Sequence, residues 1–181
     1  MILLPDGTGF FSAQWAVVGE ATHHECLDDD NGNTSYVKCT PNGRYMIIEY
    51  ANPDDVTAAN SGVAEADIAS ITSVRFLSSG RANHRTNSAN TVVSYEVPSG
   101  NATQICSYDS GISYETINGL PKIYSDGAGG TDWTYDNLED LSMRLTKSGT
   151  IEVYLSYFVM EVTYTEAVAA ADNATFFGAN F

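Results

Sequence analysis

Four potential metal ligands stand side by side near the start of the chain: His23, His24, Glu25 and Cys26. Imidazole nitrogens and thiolates are preferred zinc ligands, and a structural zinc site needs four ligands in a tetrahedron. Adjacent residues of an extended chain point to opposite faces, so this segment cannot close such a site alone. Cys39 and His84 could complete it only through the fold, and an ordinary loop is the alternative interpretation.

The segment that follows, residues 28–33, is rich in carboxylate and amide oxygens, which are suitable calcium ligands. Its spacing differs from that of an EF-hand. Gly32 does not stand where the turn glycine would lie, and no Glu closes the loop at the required distance. We therefore predict no metal site and no cofactor for this chain.

Cys26 and Cys39 flank this turn-rich segment. If they lie opposite each other across a hairpin, oxidation could join them in a disulfide that staples the loop. The third cysteine, Cys106, completes neither a paired framework nor a CxxC knuckle. A reducing compartment during synthesis fits this usage, and whether the pair oxidises is left open by the sequence.

The chain contains no GxSxG elbow, no phosphate-binding loop and no HExxH motif, and its serines lack a nearby histidine to activate them. We therefore predict that the protein is not an enzyme. Tyr108 and Tyr114 flank a turn and could project from a hairpin as a stacking platform for glycans. Aromatic residues in an all-β chain, Trp15 and Trp133 included, more often belong to the core.

The charge of the chain excludes several partners. It has 8 Lys and Arg residues against 23 Asp and Glu residues, a formal net charge of −15, and no basic cluster that could bind phosphates. Direct binding to nucleic acid is not expected. No apolar run is long enough for a membrane span, and the opening MILLPDGTGFF lacks the basic leader of a signal peptide.

Short runs rich in Val, Ile, Thr and Tyr recur between Gly, Asn, Asp and Ser clusters, which is typical of an all-β sandwich or barrel. Helical segments are limited to about one turn over residues 136–141, capped by Thr134, and to the Ala-rich connection 56–69. The predicted strands are Gln14–Val18, Ser35–Cys39, Arg44–Tyr50, Ile68–Leu77, Thr91–Val97, Thr103–Ser107, Ile112–Ile117, Leu141–Thr146 and Thr150–Thr165.

The last of these strands is apolar on both sides. Strict alternation places one set of side chains on one face: Ile151, Val153, Leu155, Tyr157 and Val159. The other face then carries Tyr154, Phe158, Met160, Val162 and Tyr164. An antiparallel strand usually has one solvated face, so the second face should be covered either by this chain or by another molecule.

A single domain is expected over residues 1–165, because no linker, repeat or composition change divides the chain. Residues 166–181 would form a tail whose aromatic residues, Phe176, Phe177 and Phe181, either fold back or contact another subunit. Together with Tyr154, Phe158 and Met160 they are the predicted interface residues.

The order of several motifs resembles a diverse group of jelly-roll-like β-sandwich proteins found among the virion proteins of tailed bacteriophages. The similar segments are ILLPDGTG with Trp15 shortly after, LDDDNGNTSYV, DIASITSVRF, GTDWTYDNLEDLSMRL and EVYLSYFVMEVTY. They extend from Ile2 to Tyr164. Trp133, Leu138 and Leu141 would close one end of the sandwich as core residues.

The resemblance implies an antiparallel, jelly-roll-like sandwich that acts as a capsid decoration or cement protein, or as a tail or fibre component. Its partners would be the major capsid protein or other virion proteins, and it would form a homotrimer or homodimer. Such a protein is assembled in the host cytoplasm and is located in the virion. The alternative function is a glycan-binding receptor module of a tail, fibre or cell surface.

Overall fold

The structure, a computed structural model, describes residues 1–8, 14–29, 34–55, 62–82, 89–97, 100–108, 115–117, 132–139 and 141–168. The strands, numbered in chain order, are β1 (Ile2–Leu3), β2 (Pro5–Thr8), β3 (Ala16–Val18), β4 (Tyr36–Cys39), β5 (Tyr45–Tyr50), β6 (Ile68–Ala82), β7 (Ala89–Val97), β8 (Gly100–Tyr108), β9 (Glu115–Ile117), β10 (Ser142–Ser148) and β11 (Val153–Glu166). A 3₁₀ turn (Glu65–Asp67) precedes β6, and the helix α1 (Tyr135–Glu139) precedes β10. No described helix has the length and apolar character needed to cross a membrane.

These strands form two antiparallel sheets. The first sheet has the order β3-β4-β11-β6-β9, and β1 also pairs with β11. The second sheet has the order β2-β5-β10-β7-β8. One hydrophobic core contains residues from both sheets, so the prediction of an all-β sandwich is confirmed.

The strand pairing is nested. β4 pairs with β11, β5 with β10, β6 with β9 and β7 with β8, and successive pairs alternate between the two sheets. A long two-stranded ribbon rolled around the core gives this order, which is that of a jelly roll. The jelly-roll-like architecture predicted from the sequence is therefore observed.

The helix α1 begins as the sequence predicted. The backbone N–H of Asn137 donates to Thr134 Oγ1 at 3.3 Å, and the N–H of Thr134 donates to Asn137 Oδ1 at 3.1 Å. Both bonds satisfy donors at the start of the helix. Trp133, Leu138 and Leu141 are buried in the core around this helix, as expected.

A β-bulge explains the two apolar faces of β11. The register between β11 and β6 shifts between Leu155 and Tyr157, which makes Ser156 the extra residue. The core-facing residues of β11 are odd-numbered before the bulge and even-numbered after it: Val153, Leu155, Phe158, Met160 and Val162. Apolar residues that strict alternation assigns to opposite faces thus point into the same core.

The bulge determines where the predicted interface residues of β11 lie. Phe158 and Met160 are 0% exposed because the bulge turns them toward the other sheet, and they offer no surface to a partner. Tyr154 faces outward but is only 8% exposed, and Val159 on the same outward face is also fully buried. The outward face of β11 is thus buried at Tyr154 and Val159, whereas Tyr157 is half-buried and Thr163 is exposed.

Two strands were not predicted. β1 pairs with β11 and β2 pairs with β5, so the opening residues add a strand to each sheet. The N–H of Val162 donates to Met1 O at 2.8 Å, which fixes the start of the chain against β11. The N–H of Ala167 donates to Asp67 O at 2.8 Å, which fixes the end of β11 against the 3₁₀ turn.

Candidate interaction surface

The predicted zinc-ligand segment is a hydrogen-bonded turn. The N–H of Thr22 donates to Glu25 Oε2 at 2.9 Å, and the N–H of Glu25 donates to Thr22 Oγ1 at 3.4 Å, the reciprocal pattern of a capping box. The bond from the Thr22 hydroxyl lowers the pKa of Glu25. His23 Nε2 lies 2.7 Å from Trp15 O and bonds to it. Among the described residues, no three His, Cys, Asp or Glu side chains are grouped to hold a metal ion.

The cysteines beside this turn are not joined. Cys26 and Cys39 are both free and buried. Cys26 Sγ donates to Val18 O at 3.7 Å, whereas Cys39 Sγ donates to Gln14 O and to Pro41 O at 3.6 Å each. Burial raises the pKa of the Cys39 thiol to about 11. The two thiols are therefore free in this structure, and they contact different backbone carbonyls.

A polar cluster joins three strands on the outward side of the first sheet. Glu152 accepts hydrogen bonds from Thr40 Oγ1 and from the Tyr154 hydroxyl. The Arg81 guanidinium lies 3.9 Å from the centroid of the Tyr154 ring, and the ring of Tyr36 is 5.3 Å from it. Burial and the bond to Glu152 raise the pKa of Tyr154 to about 12. Tyr154 therefore stays neutral and holds β4, β6 and β11 together.

Several carboxylates lie near α1. Tyr135 of this helix is 9% exposed, and its hydroxyl donates to Val63 O at 3.1 Å. Burial first, and then the negative charge of nearby carboxylates, raises the pKa of Tyr135. These carboxylates are all exposed and will be called the acidic end: Asp54, Asp55, Glu65 and Glu139.

Local bonding fixes part of the acidic end. The N–H of Asn52 donates to Asp55 Oδ2 at 3.2 Å, and the N–H of Asp55 donates to Asn52 O at 3.0 Å, which closes the turn after β5. Asp6 lies near this turn, since burial and then the charge of Asp55 raise its pKa. The negative surface is therefore built on ordered backbone from several segments.

Sequence reasoning did not identify the acidic end. Its carboxylates come from three segments that are distant in the chain, so no local motif contains them. The available signal was the absence of positive charge, because residues 45–74 and 123–143 contain no Lys or Arg. A surface of one sign with ordered backbone suits docking on a surface of the opposite sign.

The remaining predicted interface residues, Phe176, Phe177 and Phe181, lie outside the described residues. The same holds for Tyr114, and the side chain of Tyr108 is not described either. Of the predicted sites, the structure therefore places Tyr154, Phe158 and Met160, which are buried, and the two free cysteines.

Comparison with known proteins gives no family. No family model matches the chain, and no curated protein matches it. Among solved structures, the chain is similar to one described as the crystal structure of an agarase, AgWH50C, with 12% sequence identity and a TM-score of 0.39. The match covers 87% of this chain and 26% of the agarase, so the chain spans about a quarter of that protein. A likeness at this level indicates neither a common activity nor a common substrate.

Proposed function

We propose that this chain is a non-enzymatic structural protein of a tailed-bacteriophage virion, a capsid decoration or cement protein that reinforces contacts between shell subunits. The observation that carries the proposal is the jelly-roll order of the strands, an architecture common in viral capsid domains. This step is an analogy at the level of the fold, joined to the sequence resemblance, since a fold alone does not specify function.

The roles of the polar residues support a structural function. Glu25 caps a turn, His23 bonds to a backbone carbonyl, and Glu152 bonds to Thr40 and Tyr154 between strands. Such groups serve the fold itself. A protein that works by surface contact needs a rigid scaffold of this kind.

The acidic end gives the proposal a docking surface. Its carboxylates are exposed, of one sign and carried by ordered turns, so a basic patch on a capsid shell would attract them. Each contact is modest. If one shell-bound assembly carries several copies, their contacts combine through multivalency.

The test is co-sedimentation of the purified protein with empty shells assembled from the major capsid protein of the same virion. We expect saturable binding that weakens as the salt concentration rises, because salt screens the attraction between the carboxylates and a basic surface. A double variant of the acidic end, Asp54→Asn with Glu65→Gln, should bind several-fold more weakly. The matched control, Glu20→Gln with Asp29→Asn, removes two exposed carboxylates of the β3–β4 connection and should bind like the native chain.

The outcomes separate the parts of this proposal. Absence of shell binding by the native protein would contradict a decoration function. Equal binding by all three proteins would retain that function and remove the acidic end as its docking surface. Imaging of particles adds a location, because a decoration protein occupies regular positions on the shell and a receptor module sits at the tail.

The alternative, a glycan-binding receptor module, is tested with a glycan array in the presence and absence of a chelator. A decoration protein should give no signal in either condition. Specific binding to one glycan class, together with no affinity for shells, would favour the alternative.

A further inference from the structure

Among the described strands, the second sheet ends in the long strand β8, which has a described neighbour on one side only. β8 pairs with β7 over all nine positions from Gly100 to Tyr108 without a register shift. On its other side, no strand in the described part of the chain pairs with it. The edge therefore presents a straight row of backbone donors and acceptors to a further strand.

Natural sheets usually protect such edges with charged residues, proline or bulges. β8 has none of these, since its sequence is GNATQICSY and its register is uninterrupted. The other edges differ. β2 contains Pro5, Asp6 and a register shift, while β3 and β9 have three residues each. The part of β6 that precedes its pairing with β9 carries Arg75 and two register shifts against β11.

The charge of the molecule indicates which partner fits this edge. Two copies of a chain with a formal charge of −15 repel each other wherever their carboxylates would meet. β8 has no ionisable carboxylate or amine along its nine residues. It is thus a place where a second copy can approach without placing like charges opposite each other, whereas a basic partner would be drawn to the acidic end.

We infer that β8 is the contact surface of a homodimer in which the β8 strands of two copies pair antiparallel across a two-fold axis. An antiparallel pair of identical strands is self-complementary, as an isologous interface requires. Centring the axis on Gln104 uses every residue of the strand and places Thr103 opposite Ile105 of the second copy. The five strands of each second sheet then form one continuous sheet. This inference does not depend on the proposed virion function.

The strand register identifies the positions where this pairing can be tested. Gln104 pairs with Val93 of β7, which pairs with Leu145 of β10. Thr103 and Ile105 are the neighbours of Gln104 along the strand, so they lie on one face of β8. Charges introduced at these two positions meet their counterparts across the axis.

The experiment is a charge exchange measured by sedimentation velocity. Thr103→Lys with Ile105→Lys, and Thr103→Glu with Ile105→Glu, place like charges opposite each other, so we expect each dimer to be at least about tenfold weaker. An equimolar mixture of the two should form a heterodimer. The matched control, Thr103→Lys with Ile105→Glu, places opposite charges across the axis and should dimerise like the native chain.

Far-ultraviolet circular dichroism establishes that each variant is folded before its association is measured. A native chain that sediments as a monomer up to its solubility limit would overturn the inference. So would Lys/Lys and Glu/Glu variants that dimerise like the native chain, since the contact would then lie elsewhere. Loss of dimerisation in the Lys/Glu control would likewise exclude the proposed register.

Discussion

Lys147 is a fully buried basic residue whose ammonium has to be satisfied inside the protein. Its Nζ donates to Thr40 O at 2.8 Å and also to Gly149 O. These bonds link the connection between β4 and β5 to the connection between β10 and β11. Burial lowers its pKa below the ordinary value of 10.5. The aliphatic stem and the charged head of Lys147 therefore make opposing contributions to the free energy of unfolding. Burial of the apolar stem stabilises the fold, and desolvation of the charge destabilises it.

Two substitutions separate these contributions. Lys147→Ala removes the buried stem as well as the charge, and should lower the free energy of unfolding by about 2–4 kcal/mol. Lys147→Met keeps the stem, relieves the buried charge and should cost less than about 1.5 kcal/mol. Urea unfolding at neutral pH measures both. Equal losses in the two variants would mean that the ammonium bonds, rather than the stem, stabilise the turns.

The pH dependence of the native protein relative to Lys147→Met provides the second measurement. Between the lowered pKa of folded Lys147 and the ordinary 10.5, the unfolded chain holds a proton that the folded chain has released. Unfolding then takes up a proton, so stability relative to the variant should rise with pH in this interval. A difference that falls with rising pH would contradict the lowered pKa.

At the scale of elements, the bulge in β11 decides which residues form the core. Ser156 is 0% exposed and is the residue by which β11 exceeds β6 at this point. If Ser156 were instead paired as an ordinary strand residue, alternation would continue without a break and every side chain after position 155 would exchange faces. Tyr157 and Glu161 would then point into the core in place of Phe158 and Val162.

Deletion of Ser156 removes the extra residue and keeps Phe158 and Val162 on the core side, so this variant should fold with a regular β11, and Ser156→Gly should retain the bulge and the fold at a small cost in stability. Circular dichroism and soluble yield after expression measure both variants. The substitution removes the same side chain as the deletion, so the comparison isolates the effect of the bulge. A deletion variant that fails to fold, while Ser156→Gly folds, would contradict the assignment of core faces to the two halves of β11.

The sequence predicted the strands and the Thr134 cap because these depend on local composition and on bonds between close neighbours. It did not predict β1 and β2, whose residues Ile2–Leu3 and Pro5–Thr8 are too few for a periodic pattern. The bulge was also missed, since an alternation pattern assumes constant register. The acidic end depends on distant segments meeting around Tyr135, and only the tertiary fold brings them together.

At the scale of the molecule, the acidic end and the β8 edge are two different surfaces. The acidic end gathers carboxylates around α1, whereas β8 provides an uncharged edge of the second sheet. In the function proposed above, the acidic end would attract a positively charged partner; in the further inference, β8 would pair two copies of the chain. A decoration protein needs both kinds of contact, because it must bind a shell and strengthen it across neighbouring positions.

Truncation after Val168 tests whether the aromatic tail adds a third contact. The cut preserves all of β11 and the bond from Ala167 N to Asp67 O, so the sandwich should remain folded. If the β8 edge forms the dimer, the truncated chain should still dimerise. If Phe176, Phe177 and Phe181 contact a neighbouring shell subunit, affinity for shells should fall by roughly tenfold or more, as expected for buried aromatic anchors.

The full-length triple variant Phe176→Ser, Phe177→Ser and Phe181→Ser is the matched control for chain length. It should reproduce the loss of shell affinity if the rings are responsible, because the backbone of the tail is retained. Co-sedimentation with shells and sedimentation velocity then report the two contacts independently. Native shell affinity in both proteins would remove the tail from the interface, and loss of the dimer in the truncated chain would assign self-association to the tail instead of β8.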